Sequence, residues 1–369
     1  YMKKVFVTLI LIVSISFSCN ELITEDIGPS YDRSKLLKNW YDFNIIPAHK
    51  TFKRELDQLK SETNSFKENP NASNLNNLRI QFLDTYLAWQ GVEIFNFGKA
   101  EEIYYNSKVN IYPVNSARVN SNISSGQYDL SNANNFAAQG LPTIDYLLYG
   151  IAPESDILNK ISSNDHLTYL INITDEMITS TEDVMRYWET NKLEFVNSID
   201  NTSTSSMNMM VNDFIYYYEK GFRANKFGIP AGVFSSKPIP ENIECYYSKV
   251  NSKKLAMESL RRIIEFYEGI EFDTGYPYPG NSGASLKKII IELDQATGEN
   301  NLGNRISEKI NTAKQMLSEL DENFYNQINN NNTKFLRVYD AIQEVVVLLK
   351  VDMLQLLSIN VDYVDADGD

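Results

Sequence analysis

In residues 335–357, Phe335, Leu336, Tyr339, Ile342, Val345, Val346, Leu349, Met353, Leu356 and Leu357 recur at steps of three and four, with Arg337, Asp340, Gln343, Glu344, Lys350 and Asp352 falling mostly between them. That spacing places the apolar side chains on one stripe of a helix long enough to need a partner surface along its whole length. Similar stripes run through 33–60, 76–98, 165–189, 207–226, 248–268 and 302–328, with Asn76 and Ser163 as expected N-caps. Strand-like alternation is confined to Ile359–Val364. The pattern predicts an all-α chain.

Between the helices lie polar connections. Residues 104–135 are rich in Asn and Ser and carry Pro113 and Gly126, and 271–283 carry Gly275, Pro277, Pro279, Gly280 and Gly283. Residues 197–206 are nearly all Asn, Ser, Thr and Asp, so we expect a division near 200 into an N-terminal helical bundle, 31–200, and a C-terminal one, 201–369.

The first residues read as a processing signal. Lys3 and Lys4 precede an apolar run, Val5–Phe17, that ends in Ser16-Phe17-Ser18-Cys19. Thirteen helical residues reach about 20 Å, short of the roughly 30 Å of a bilayer core. This predicts a signal peptide over 1–19 rather than a spanning helix. A small residue directly before a cysteine resembles a bacterial lipobox, which makes Cys19 the expected lipidation site, residues 20–30 a flexible tether, and the cell envelope the expected location. The only other cysteine is Cys245, so a disulfide framework is excluded. A net charge of -14 argues against nucleic acid as a partner.

Two blocks carry a resemblance to a known family. One is Lys226-Phe227-Gly228-Ile229-Pro230-Ala231-Gly232-Val233-Phe234 with Pro238-Ile239-Pro240-Glu241-Asn242-Ile243-Glu244-Cys245-Tyr246-Tyr247-Ser248; the other is the terminus from Ser358 to Asp369. Both resemble imelysin-like lipoproteins, as do Trp89–Gly98 and Ile111-Tyr112-Pro113-Val114-Asn115. The resemblance implies an all-α fold of two four-helix-bundle-like halves related by a pseudo-twofold, with a cleft between them. It also implies a role near iron uptake, and the family carries a metallopeptidase label.

The family's hallmark is Gly-x-His-x-x-Glu opening a helix. Here the matching stretch is Gly140-Leu141-Pro142-Thr143-Ile144-Asp145, so proline stands for histidine and aspartate for glutamate. Residues three apart share a helix face, which lets an imidazole and a carboxylate meet one ion. Proline offers no donor atom, whereas in the first turn of a helix its missing N–H costs nothing. The degenerate motif Gly140, Pro142 and Asp145 therefore predicts no catalytic or metal-ligating residues.

The two histidines, His49 and His166, form no spaced pair and read as surface or helix-end residues. Glu93 lies four residues from both Trp89 and Phe97, which on a continuous helix puts a carboxylate on an aromatic face. Glu93, Lys226 and Glu244 are the expected cleft residues, with a structural ion pair between Lys226 and Glu244 as the plainer alternative. Asp365-Ala366-Asp367-Gly368-Asp369 has its glycine too early for a calcium loop and reads as an acidic turn. Three functions remain open. The first is a non-catalytic envelope component that handles iron or haem as a transported ligand and docks an outer-membrane receptor or another iron-uptake component. The others are an imelysin-type metallopeptidase and a protein–protein scaffold.

Overall fold

The computed structural model describes residues 31–278, 283–298 and 301–361. The expectations for Cys19, the signal peptide, the tether and the Asp365–Asp369 turn lie outside these residues.

Asp32 caps the first helix by accepting from the Lys35 amide at 3.0 Å, and α1 (Arg33–Trp40) continues through a π-helical stretch, Tyr41–Ile45, into α2 (Ile46–Glu68). A short turn leads to α3 (Ala72–Trp89), whose N-cap is Asn71, not Asn76: the Asn71 side-chain oxygen takes the Asn74 amide at 3.0 Å. Short helices at Tyr105–Val109 and Ser116–Ser125 break up the polar 104–135 connection before α4 (Gly140–Tyr149). The 34-residue α5 (Asn164–Asn197) follows, with Ser163 at its N-cap position. Then α6 (Ser206–Tyr216) runs on through a π-helical stretch, Tyr217–Gly228, to Ala231.

The chain continues through α7 (Ser252–Glu268), α8 (Leu286–Thr297), α9 (Leu302–Ser318) and α10 (Phe324–Val347), the last extended through Leu348–Met353 to Leu357. Among the described residues there is no strand, only one isolated bridge between Ile270 and Pro277.

Helix α2 packs between α3 and α5, and α4 lies on α5. Helices α7, α8 and α9 pack on one another, α9 packs on α10, α7 and α10 pack on the 217–228 stretch, and α7 also meets α3. One buried apolar set runs through all of them, from Leu36 to Ile359. Its centre is aromatic. Phe266 of α7 stacks on Trp40 of α1 at 4.6 Å between centroids, and also meets Phe95 and Phe214.

Besides the N-cap at Asn76, three sequence expectations fail here. Helix α3 stops at Trp89, so Trp89, Glu93 and Phe97 do not share a helical face. The expected 302–328 helix is two, divided by a turn in which Asn323 caps α10. His49 is fully buried, not at the surface: its Nδ1 bonds the Ile45 carbonyl at 2.7 Å, and burial depresses its pKa to about 4.

Residue 140 must be glycine for two reasons. Its φ is +74°, and an added Cβ would sit 2.3 Å from the Val109 carbonyl oxygen. Gly126 shares the positive φ, at +63°, but has open space around it. Gly140→Ala is therefore expected to lower the unfolding free energy by about 3 kcal/mol or more, and Gly126→Ala by about 1–2 kcal/mol, in urea denaturation. Equal losses would refute the close approach at Gly140.

Candidate functional site

Helix α3 ends at Trp89 because Gln90 and Gly91 enter a turn, and the chain then approaches Phe272 too closely for any residue larger than glycine at 91. That turn delivers Gln90 and Glu93. Asn110 follows the short helix Tyr105–Val109, Lys226 lies late in the 217–228 stretch, Glu244 sits in the loop beyond Pro240–Asn242, and Ser259 is on α7. Segments far apart in sequence thus converge on one polar cluster inside an apolar core.

Lys226 is its hub. The ammonium lies 2.5 Å from Glu244 Oε2, donates to Gln90 Oε1 at 2.8 Å, and stands 3.8 Å from Glu93 Oε2. The Asn110 amide donates to Glu244 Oε1 at 2.9 Å and Glu93 Oε1 at 2.8 Å, while its own oxygen accepts from the Tyr86 hydroxyl at 2.6 Å. Gln90 donates to Glu244 Oε1 at 3.2 Å, and the Ser259 hydroxyl donates to Gln90 Oε1. Lys226 and Glu244 are 2% and 3% exposed, so water stabilises neither charge. One ammonium between two carboxylates leaves the cluster one negative charge in excess. Burial pushes the Glu93 carboxyl up from its usual range; Lys226 opposes this and the Glu244 charge adds to it.

The three residues expected at a cleft therefore come together, but only Glu93 lines one. Lys226 and Glu244 are buried as the structural ion pair, because each charge is satisfied by the other and by Gln90 and Asn110 rather than by solvent. Gln90, Asn110 and Ser259 were missed. Gln90 lies inside, and Asn110 one residue before, blocks that the sequence singles out. Ser259 shares the buried stripe of α7 with Leu255 and Ile263, where a small polar residue hints at a buried hydrogen bond.

Gly140, Pro142 and Asp145 lie elsewhere, on α4, where every residue from Gly140 to Leu148 is buried. Asp145 Oδ2 accepts the Tyr247 amide at 2.7 Å, and Oδ1 accepts the Ser248 amide at 3.1 Å. The carboxylate thus pins the turn after Glu244, in which Cys245 and Lys249 hold positive φ. Pro142 and Asp145 also line a small slot of about 100 Å³ with Tyr112, Cys245 and Tyr247.

A cleft of about 300 Å³ opens over the Lys226 cluster, lined by Glu93, Asn106, Asn110, Tyr104, Asp213, Tyr216, Tyr217 and Lys220 among others.

The family model described as Imelysin, peptidase M75, matches residues 45–351. The chain belongs to the imelysin family. An imelysin-like protein from Psychrobacter arcticum 273-4 superposes with a TM-score of 0.66 at 18% identity, covering 90% of this chain and 98% of that one. A putative iron-regulated protein A precursor from Parabacteroides distasonis ATCC 8503 gives 0.66 at 14% identity, over 90% of this chain and 97% of that one. These likenesses show a shared all-α fold. Among curated proteins none matches this chain.

The metal that the imelysin motif implies does not fit the residues present here. Pro142 has no donor, and both Asp145 oxygens already hold backbone amides. His49 bonds Ile45, and His166 Nδ1 bonds the Ser163 hydroxyl. Among the described residues no group of three or more His, Cys, Asp or Glu side chains is placed to share an ion.

Burial pushes the Asp145 carboxyl up to about 6, against the downward pull of the two amides it accepts. Its folded pKa lies above the ordinary value of 3.8, so folding favours the protonated acid. The resulting stabilisation is fully present below about pH 4 and is lost as pH rises through 6. Measured against Asp145→Asn, the protein is therefore expected to lose about 2 kcal/mol of relative stability between pH 4 and pH 7.5 in urea denaturation. A pH-independent difference would show that the carboxyl ionises normally.

Proposed function

We propose that this imelysin is a cell-envelope binding protein without peptidase chemistry, linked to iron or haem acquisition and anchored through Cys19. The observation that carries the reading is Pro142 in place of the motif histidine, together with Asp145 committed to the Tyr247 and Ser248 amides. Metal-assisted hydrolysis needs an ion to lower the pKa of its water, and these side chains supply no donor set to hold one. The link to iron is supported by the name of the Parabacteroides distasonis neighbour, an iron-regulated protein precursor in description. Its ligand occupies the cleft over Glu93, and an outer-membrane receptor is the partner that the envelope location suggests.

The purified protein is expected to leave casein and insulin chains intact with or without added zinc, and to take up iron or haem saturably. Cleavage abolished by a chelator and restored by zinc would establish the metallopeptidase instead. Failure to bind either iron or haem would leave the scaffold role.

A further inference from the structure

We infer that the cleft over Glu93 takes a primary ammonium group carried on a short alkyl chain. The inference rests on the reading of the protein as a binding component and names the chemistry of the ligand head. A bare metal ion is a poor candidate, because no three His, Cys, Asp or Glu side chains among the described residues are placed to share one.

Charge comes first. Glu93, Glu101 and Asp213 line the cleft, and Lys220 is the single cation among the lining residues. Its ammonium lies 3.5 Å from Oε1 of Glu219, a buried carboxylate that Arg223 and Lys350 also share, so the acidic excess rests on the three lining carboxylates against this one ammonium. The cleft favours a cation.

Unmet hydrogen bonding narrows the choice. Glu93 Oε2 and Asn106 Oδ1 are shut off from bulk water and make no hydrogen bond of ordinary geometry, although the Lys226 ammonium, at 3.8 Å, and the Trp89 side chain stand beside Glu93. The Tyr217 hydroxyl, on a residue 4% exposed, lies against Glu93 and Ser259 without a hydrogen bond of ordinary geometry to either. Asn106 is tied to the same turn by its amide, which donates to the Glu93 carbonyl at 3.0 Å. All three residues line the cleft, and each of these oxygens can accept. A buried acceptor left without a donor is costly. A primary ammonium brings three donors and one positive charge, whereas a quaternary ammonium brings the charge alone.

The rim suits the remainder of such a ligand. Tyr104 and Tyr216 are 65% and 46% exposed where they line the cleft, and they present aromatic faces to a cation and its alkyl stem. Ile94 and Ile111 add apolar wall.

Isothermal titration of the full-length protein with pentylamine, its N,N,N-trimethyl analogue and pentanoate tests the proposal. Pentylamine is expected to bind saturably, the trimethyl analogue about tenfold or more weakly, and pentanoate not at all. Glu93→Gln should weaken pentylamine about tenfold or more, and Tyr217→Phe, which removes one oxygen from a ring that stays packed, several-fold. No saturable amine binding would overturn the proposal, as would equal affinity for the trimethyl analogue or indifference to both substitutions. The amines carry no metal, so their binding without iron or haem uptake would sustain this inference and remove the iron link. Iron or haem uptake without amine binding would do the reverse.

Discussion

A lysine ammonium buried among two carboxylates is the constraint on which the centre of this protein depends. Taking Lys226 out of water costs several kcal/mol, and only close, well-directed partners offset it. Those partners are Glu244, Gln90 and, at longer range, Glu93. They come from the end of α3, the turn after it and the loop after Pro240, so the cluster can be satisfied only when these segments stand in one arrangement. Asn110 then stitches the two carboxylates together, and Tyr86 orients Asn110. The excess negative charge is left on the Glu93 side, where the cleft opens.

Asp145 has a parallel role in the neighbouring loop. Its two oxygens hold the Tyr247 and Ser248 amides, fixing a turn that carries two residues at positive φ directly after Glu244. The family's motif position has thus become a support for the loop that delivers the Lys226 partner. Gly140 permits this by letting α4 start against the Val109 carbonyl, one residue before Asn110. The two carboxylate centres are therefore coupled through the backbone at both ends.

Much of the fold was legible because its helices are amphipathic and long. The stripes of α2, α5, α7 and α10 follow from three- and four-residue spacing alone. What misled was local. Glu93 and Phe97 continue the period of α3, but Gln90-Gly91 end the helix so that the backbone can approach Phe272. Helix α8 went unread because its stripe, Leu286, Ile289, Ile290 and Leu293, is brief and follows a glycine- and proline-rich run. His49 falls on the buried face of α2 with Phe52 and Leu56, and a neutral imidazole bonded to Ile45 is compatible with that face. Glu93, Lys226 and Glu244 were readable as members of family-like blocks. Gln90, Asn110 and Ser259 were not, since which uncharged polar groups complete a buried cluster depends on packing that no short pattern encodes.

A double-mutant cycle on Lys226 and Glu244, read by urea denaturation, tests the central claim most directly. Lys226→Met alone is expected to cost about 3–5 kcal/mol because it strands buried carboxylates, and adding Glu244→Gln should recover about 2 kcal/mol or more of that loss. Single losses under about 1 kcal/mol that simply add would mean that the two side chains are not coupled in a buried pair, and the account of the protein's centre would fall.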